Sequence, residues 1–395
     1  MAAAALKNFT VEDVITALRN VLNQPAGLHE PTFSGNEWKY VKECLDTGWV
    51  SSVGSYVDRF EKDLCAFTGV RYAIATNNGT AALHTILLLS GVKQDDEVII
   101  PSLTFIATAN AVTYCGAIPH FADTEEATLS IDPEKLSRYL QENAVLKNGA
   151  CFNAKTGRPI KALIAMHTFG HPADLNALQG ICDRFCLTLI EDAAESIGSY
   201  YNGRHTGHWG QMAALSFNGN KVITTGGGGA VLTNDENIAV AARHLTDTGK
   251  VPHPWLREHD VVGFNYRLTN LNAAVGCAQL EQLPLFLQKK RALADAYNAA
   301  FSGLHGIKFF QEPQHCQSNY WLNVLMLDSD HIAYRDDILK AANNAGFRAQ
   351  PTWTPVHRLT MYQGCPRMDL SHTNGLFERI INIPSSPHLA DKITT

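Results

Sequence analysis

No run of the sequence approaches the roughly 18 apolar residues that a membrane-crossing helix needs, and no block of lysines and arginines marks a face for gripping nucleic acid. The formal net charge is −6, so the long-range field favours neither a nucleic acid nor an anionic membrane as partner. Cys-x-x-Cys pairs are missing too. The nine cysteines are odd in number and irregularly spaced, which excludes a zinc module and a disulfide framework as expectations and leaves reduced thiols. The Ala2–Ala5 run is followed by Lys7 and Asn8 before any apolar stretch of signal length. The glycines fit neither the phosphate loop of nucleotide hydrolases nor the dinucleotide fingerprint. A cytoplasmic protein without nucleic-acid or membrane partners is expected.

Hydrophobic residues make up 45% and charged residues 18% of the 395, so a large core can be buried and disorder is not expected. Short apolar runs alternate with helical patterns. Strands are predicted at Tyr72–Ala75, Glu97–Ile100, Ile118–Phe121, Ile160–Met166, Leu187–Ile190, Ala213–Phe217 and Gly229–Leu232. Helices are predicted at Val11–Leu22, Ala81–Leu89, Ala107–Tyr114 and Ile238–His244, with Asp132 and Asp174 as helix caps. Continuously apolar strands of this length argue for a mostly parallel α/β sheet covered on both faces, with ligands at the carboxyl ends of its strands. Past residue 255 the character changes to a helix over Asn272–Asn298, a strand over Trp321–Leu327 and a helix over Asp336–Asn344. The expected division is an N-terminal helical segment over residues 1–30, a large domain over 31–255 and a smaller C-terminal domain over 256–395.

Four features suggest chemistry. Asn77-Asn78-Gly79-Thr80 stands between a strand and a helix, where free N–H groups and the helix dipole favour an anion; it could equally be an ordinary capped turn. Asp192 closes a buried strand, where a carboxylate can keep a pyridine nitrogen protonated, or merely cap the next helix. Lys221 follows Ser216-Phe217-Asn218-Gly219-Asn220 and precedes four glycines, an enclosed setting suited to an amine that must lose its proton readily. Gly263-Phe264-Asn265-Tyr266-Arg267 precedes a helix and could reach a phosphate. Other candidates are weaker. His167 and His171 have a metal-like spacing, but Gly170 and Pro172 favour a turn. His205 and His208 fall in a Gly-rich loop, solvated or at a site mouth, and Cys182 and Cys186 read as packing residues.

In this order the motifs resemble the DegT/StrS-type nucleotide-sugar aminotransferases. The resemblance extends from Gly48-Trp49-Val50-Ser51-Ser52 through Pro101-Ser102-Leu103-Thr104-Phe105 to Asn382-Ile383-Pro384-Ser385-Ser386-Pro387. It implies the type I pyridoxal-phosphate fold, with the large domain as the cofactor domain. The cofactor would be pyridoxal 5'-phosphate, passing through pyridoxamine 5'-phosphate. Lys221 would hold it as a Schiff base and shuttle the proton, and Asp192 would pair with the ring nitrogen. Gly79, Thr80 and Ser216 would bind the phosphate, with Asn265 from the partner of a homodimer. Phe105 and Ala194 would cover the two ring faces, with Glu195 near the ring oxygen. Trp49, Ser51, Ser52, Arg267 and His357 would contact the sugar nucleotide.

This sequence departs from the family twice. Asn218 stands where many members have His, and Glu195 where many have Gln or His; a carboxylate there repels a phenolate unless it holds a proton. Lys221 favours amino transfer over the dehydratase branch, which has His at that position. The Asn-Gly-Asn-Lys and four-glycine combination is most similar to enzymes aminating C4 of UDP-linked 4-keto-6-deoxy-N-acetylhexosamines in bacterial surface-sugar biosynthesis, with glutamate as the expected amino donor. Alternatives are another ring carbon (C3) or another sugar nucleotide, a pyridoxal-phosphate-binding regulator and a nicotinamide oxidoreductase.

Overall fold

Strands too short and too apolar to stand alone must bury both faces, and here they do. In the computed structural model, which describes residues 9–392, seven of them form the central sheet. The Ala2–Ala5 run with Lys7 and Asn8 lies outside the described residues. The order across the sheet is Tyr72–Thr76, Gly229–Thr233, Met212–Ser216, Thr188–Asp192, Pro159–Met166, Glu97–Pro101 and Ile118–Ala122. Six strands run in one direction, and Gly229–Thr233 runs against both its neighbours. A hairpin, Ala144–Lys147 with Ala150–Asn153, extends the sheet from Pro159–Met166.

Successive side chains on a strand point to opposite faces, so each strand feeds two cores. Ile74, Ala214 and Val231 pack with the helices Gly79–Leu89, Ile106–Tyr114, Pro133–Asn143 and Leu175–Phe185 on one face. Ala73, Ala213 and Ala230 pack on the other against the helices Ser55–Thr68 and Asn270–Phe301. Asp132 and Asp174 cap their helices as expected.

The 32-residue helix Asn270–Phe301 joins this body to a third core. Its first half contributes Ala273, Cys277 and Leu283 to the sheet face. Its second half contributes Leu293, Tyr297 and Phe301 to a cluster shared with the helices Val11–Val21 and Arg335–Asn344. That cluster backs an antiparallel sheet ordered Ile307–Phe309, Asn323–Leu327, Ile380–Ile383, Gln350–Pro351. Among the described residues no helix is long and apolar enough to cross a membrane.

Several expectations are corrected. Helices form at Glu37–Thr47 and Ser55–Thr68, where none was expected. The first buries only Glu37 and Cys44, so it carries almost no apolar stripe to read. His205 is buried rather than solvated or at a site mouth; its Nε2 accepts the Gly198 N–H at 2.9 Å, and burial lowers its pKa to about 4. Cys182 is packed, but Cys186 is exposed at a left-handed helix end with φ 54°. Between His167 and His171 the chain makes a single 3-10 turn, Thr168–Gly170, as Gly170 implied.

The segment Trp49–Ser52 is tied down by one buried side chain. Asn270 donates to the Trp49 carbonyl at 2.7 Å, and its Oδ1 accepts the N–H groups of Tyr56 and Val57 at 3.0 and 3.3 Å. It therefore caps the helix Ser55–Thr68, whose own N-cap, Gly54, has no side chain to offer. Asn270→Ala should cost about 1–3 kcal/mol, the penalty for stranding buried donors, read as a fall in thermal midpoint; an unchanged midpoint would remove Asn270 from this role.

Candidate active site

At the carboxyl ends of the central strands lies a cavity of about 230 Å³. Gly79, Thr80, Phe105, Asp192, Ala194, Glu195, Ser216 and Lys221 all line it, together with Asn78, Met166, Asn218, Asn220, Trp321 and Trp353. Sequence positions more than 270 residues apart thus meet in one place.

The strand Tyr72–Thr76 runs straight into a helix start. Asn78 caps it, its Oδ1 accepting the Ala81 N–H at 2.8 Å. Among the described residues no acceptor takes the N–H groups of Gly79 and Thr80. Gly79 is required sterically as well, because a Cβ there would come within 2.9 Å of Ser216 Cβ. The glycine thus brings the Ser216 hydroxyl up to the free helix end.

Asp192 ends the strand Thr188–Asp192 and is buried. Thr108 Oγ1 donates to its Oδ2 at 2.7 Å, and the Ala194 N–H to its Oδ1 at 3.2 Å. Burial pushes its pKa up; Thr108, the Ala194 N–H and the charge of Lys221 oppose this without cancelling it. Its neighbour Glu191 points to the other face. There His167 Nε2 lies 3.0 Å away, and the N–H groups of Gly207, Trp209 and Gly210 bond it at 2.7–2.8 Å. Burial would raise the Glu191 pKa, but these donors outweigh it and hold the group ionised.

Lys221 enters from a turn closed by its own N–H on the Asn218 carbonyl. Its Nζ lies 3.2 Å from Glu195 Oε1 and 3.8 Å from the centre of the Trp321 ring, and its side chain is 11% exposed. Trp321 is held by its indole N–H on the Asn220 carbonyl at 2.7 Å. Glu195 Oε2 accepts the Phe169 N–H at 2.9 Å. Burial pushes the Glu195 pKa up to about 7 despite the opposing charge of Lys221, so this carboxyl keeps its proton to a much higher pH than an exposed glutamate does.

The remaining candidates lie outside the cavity lining. Asn265 is exposed, and its carbonyl accepts from the Asn77 side chain at 3.4 Å. Arg267 is committed to buried Glu61 at 2.9 Å. Trp49 and Ser51 bond Asn270 through their carbonyls, with Ser52 in the same segment. His357 Nδ1 stands 2.6 Å from Ser102 Oγ; burial, with Arg367 and Arg358 nearby, lowers its pKa.

Sequence reasoning gave no site role to Thr108, Met166, Trp321 and Trp353, and named Asn78 and Asn220 only as members of the motifs around Gly79 and Lys221. Thr108 had a signal, since Thr104 and Thr108 are four apart at a helix start facing the Asp192 strand end. The two tryptophans had none, because only the tertiary fold brings them here.

A buried carboxylate short of a cationic partner, unclaimed N–H groups beside a serine hydroxyl, and an enclosed lysine amine fit the ring nitrogen, phosphate and aldehyde of pyridoxal phosphate. Fold and site together define a pyridoxal-phosphate enzyme of type I fold. The chain belongs to the DegT/DnrJ/EryC1/StrS aminotransferase family, whose model matches residues 31–394, and is a sugar aminotransferase that uses this cofactor. GDP-perosamine synthase of Vibrio cholerae is 37% identical, over 92% of this chain and 95% of that protein. Among solved structures, the aminotransferase TlmJ of Streptoalloteichus hindustanus superposes with TM-score 0.83 at 26% identity, covering 94% and 96% of the two chains. DesI, solved in the presence of its TDP-sugar product, gives TM-score 0.82 at 27% identity, covering 94% and 90%.

The Glu195 shift has a testable sign. Between pH 4.5 and about 7 the folded protein keeps a proton that the unfolded chain has released, so stability falls as pH rises through that window. In cofactor-free protein, Glu195→Gln should flatten this fall by about 1–3 kcal/mol, measured as thermal midpoints at pH 5 and pH 8. Parallel pH curves for variant and wild type would contradict the shift.

Proposed function

We propose that this protein moves an amino group from an amino acid, with glutamate as donor, to the C4 keto carbon of a nucleotide-linked 4-keto-6-deoxy sugar. The single observation that carries the reading is the convergence of Lys221, Asp192 and the free helix start at Gly79 on one cavity. Bound pyridoxal phosphate supplies an electron-withdrawing ring that stabilises negative charge on the carbon bearing the migrating amine. Asp192 would keep the proton on its ring nitrogen. The N–H groups of Gly79 and Thr80, with the Ser216 hydroxyl, would bind its phosphate, and Phe105 and Ala194 would cover the ring. Lys221 would anchor it covalently and hold or move a proton at its Nζ. Glu195, 3.2 Å from that amine, would hold or return the proton when Lys221 changes charge.

The nucleotide is revised. The Asn-Gly-Asn-Lys and four-glycine combination suggested a UDP-linked N-acetylhexosamine, whereas three relatives at 35–37% identity are GDP-perosamine synthases. Those names support GDP and a C4 acceptor. A homodimer with shared sites completes the proposal. Trp38, Trp255 and Val262 are 85%, 78% and 91% exposed, large apolar side chains that a subunit interface could cover. Asn265, exposed in one chain, would reach the partner's phosphate site, and Arg267, Trp49, Ser51, Ser52 and His357 would line the nucleotide approach. Reduced thiols and the sugar substrate fit a cytoplasmic setting.

Two tests follow. The protein in its aminated-cofactor form, mixed with GDP-, UDP- and TDP-linked 4-keto-6-deoxyhexoses, should regain the absorbance of the aldehyde form with the GDP sugar; no recovery with any of them contradicts the reading. Asp192→Asn should keep the fold and the cofactor but lower turnover by about 100-fold or more, on the scale of removing one fixed charge-stabilising contact. Near-normal turnover would remove Asp192 from its role.

A further inference from the structure

The amine of Lys221 stands between two groups, Glu195 Oε1 at 3.2 Å and the Trp321 ring at 3.8 Å. They come from different parts of the fold: Glu195 follows the central strand Thr188–Asp192, and Trp321 precedes the small-sheet strand Asn323–Leu327. Neither holds the other, since the Glu195 carboxyl bonds Lys221 and the Phe169 N–H, and the Trp321 indole bonds the Asn220 carbonyl. One buried side chain spans the gap. Asn319 donates both of its amide hydrogens, to the carbonyls of Glu195 and Ile197 at 2.8 and 2.9 Å, and its Oδ1 accepts the Trp321 N–H at 2.8 Å. Turning the amide over would set its NH2 against an N–H and its oxygen against two carbonyls, so the network fixes its orientation.

The same network reaches the other carboxyl oxygen. Gly170 packs directly on Asn319: a Cβ there would lie 1.9 Å from Asn319 Oδ1 and 3.0 Å from the Trp321 nitrogen, and its φ of 96° is in the region that favours glycine. Gly170 closes the turn Thr168–Gly170, whose Phe169 N–H holds Glu195 Oε2 at 2.9 Å. The Ser199 hydroxyl accepts the Asn319 N–H at 2.9 Å and donates to the Gly170 carbonyl at 2.7 Å, which locks that turn to Asn319. Asn319 is 2% exposed, and breaking a bond at that depth strands its partner away from water.

The side-chain bonds of Asn319 thus end on the backbones of the two residues that flank one amine. We propose that Asn319 is a positioning residue for amino transfer: it sets the gap between Glu195 and Trp321 and so holds the free Lys221 amine at the cavity. An indole face within about 6 Å and a carboxyl in hydrogen-bond reach both favour the charged amine and limit its swing. Widening the gap frees it. The inference rests on the reading of Lys221 as the anchoring amine.

Trace labelling of the cofactor-free protein with acetic anhydride, read at Lys221 by peptide mapping, tests this without turnover. Asn319→Leu, close in size but unable to hydrogen-bond, should raise labelling of Lys221 about threefold or more relative to the other lysines, the factor one cation–π contact is worth. In the holoenzyme, compared at equal cofactor occupancy, the circular dichroism induced in the bound cofactor should fall. Asn153→Leu is the control. Its amide bonds Glu97 at 2.8 Å and the Lys155 N–H at 2.9 Å, at the amino end of the strand Glu97–Pro101 and away from the cavity. It should lower the thermal midpoint and leave labelling and dichroism at wild-type values. Asn319→Ser takes the place of Asn319→Leu should that variant not fold. Wild-type labelling or wild-type dichroism in the Asn319 variant, or an equal rise in labelling in Asn153→Leu, overturns the inference. A wild-type holoenzyme carrying its cofactor on another lysine overturns instead the reading of Lys221 on which it rests.

Discussion

Placing a carboxylate in the interior is expensive unless something positive meets it. Asp192 sits at the end of a buried strand with only a threonine hydroxyl and one backbone N–H bonded to it. Much of the architecture can be understood as making that position possible. The strand carrying Asp192 lies between two parallel neighbours, Pro159–Met166 and Met212–Ser216, so it cannot shift to reach water. The adjacent Glu191, turned to the opposite face, pins the Gly207–Gly210 loop with three N–H bonds. On the proposed reading, a protonated ring nitrogen would supply what Asp192 lacks and make the cofactor part of the electrostatic balance of the core.

Lys221 and Glu195 form the second half of that balance. Their 3.2 Å contact pairs the amine proposed as the proton carrier with a carboxyl whose pKa burial brings to about 7. A carboxylate beside the ring oxygen looked like a liability in the sequence. In the structure Glu195 faces the lysine amine and the Phe169 N–H, and burial favours its protonated form, which lacks the charge that would repel a phenolate. Trp321, 3.8 Å from the same amine, limits where it can swing.

What could be read in the sequence was local. Strand runs such as Val98-Ile99-Ile100 and capped helix starts such as Asp132-Pro133 carry their signals within a few residues, and the structure has them within one or two positions. The positions of Asp192 at a strand end and Lys221 in a glycine-rich turn were legible because both are recognisable patterns, and the structure brings the two to one cavity. The wall of the site was not. Trp321 and Trp353 arrive from the ends of small-sheet strands, and Arg267 spends its charge on Glu61, a residue brought to it from the separate helix Ser55–Thr68. His205 was misplaced for a related reason, since its burial comes from a two-residue strand, Arg204–His205, with no periodicity to detect.

The central claim is that one particular enclosed amine is the covalent anchor. Among the described residues, Lys221 in the cavity and Lys290, fully buried on the helix Asn270–Phe301, are both well shielded. Borohydride reduction of the yellow holoenzyme, followed by peptide mapping, separates them directly. The account predicts a single pyridoxyl group on Lys221. An adduct on Lys290 or on any other lysine, or no adduct from a protein that has bound the cofactor, would contradict it.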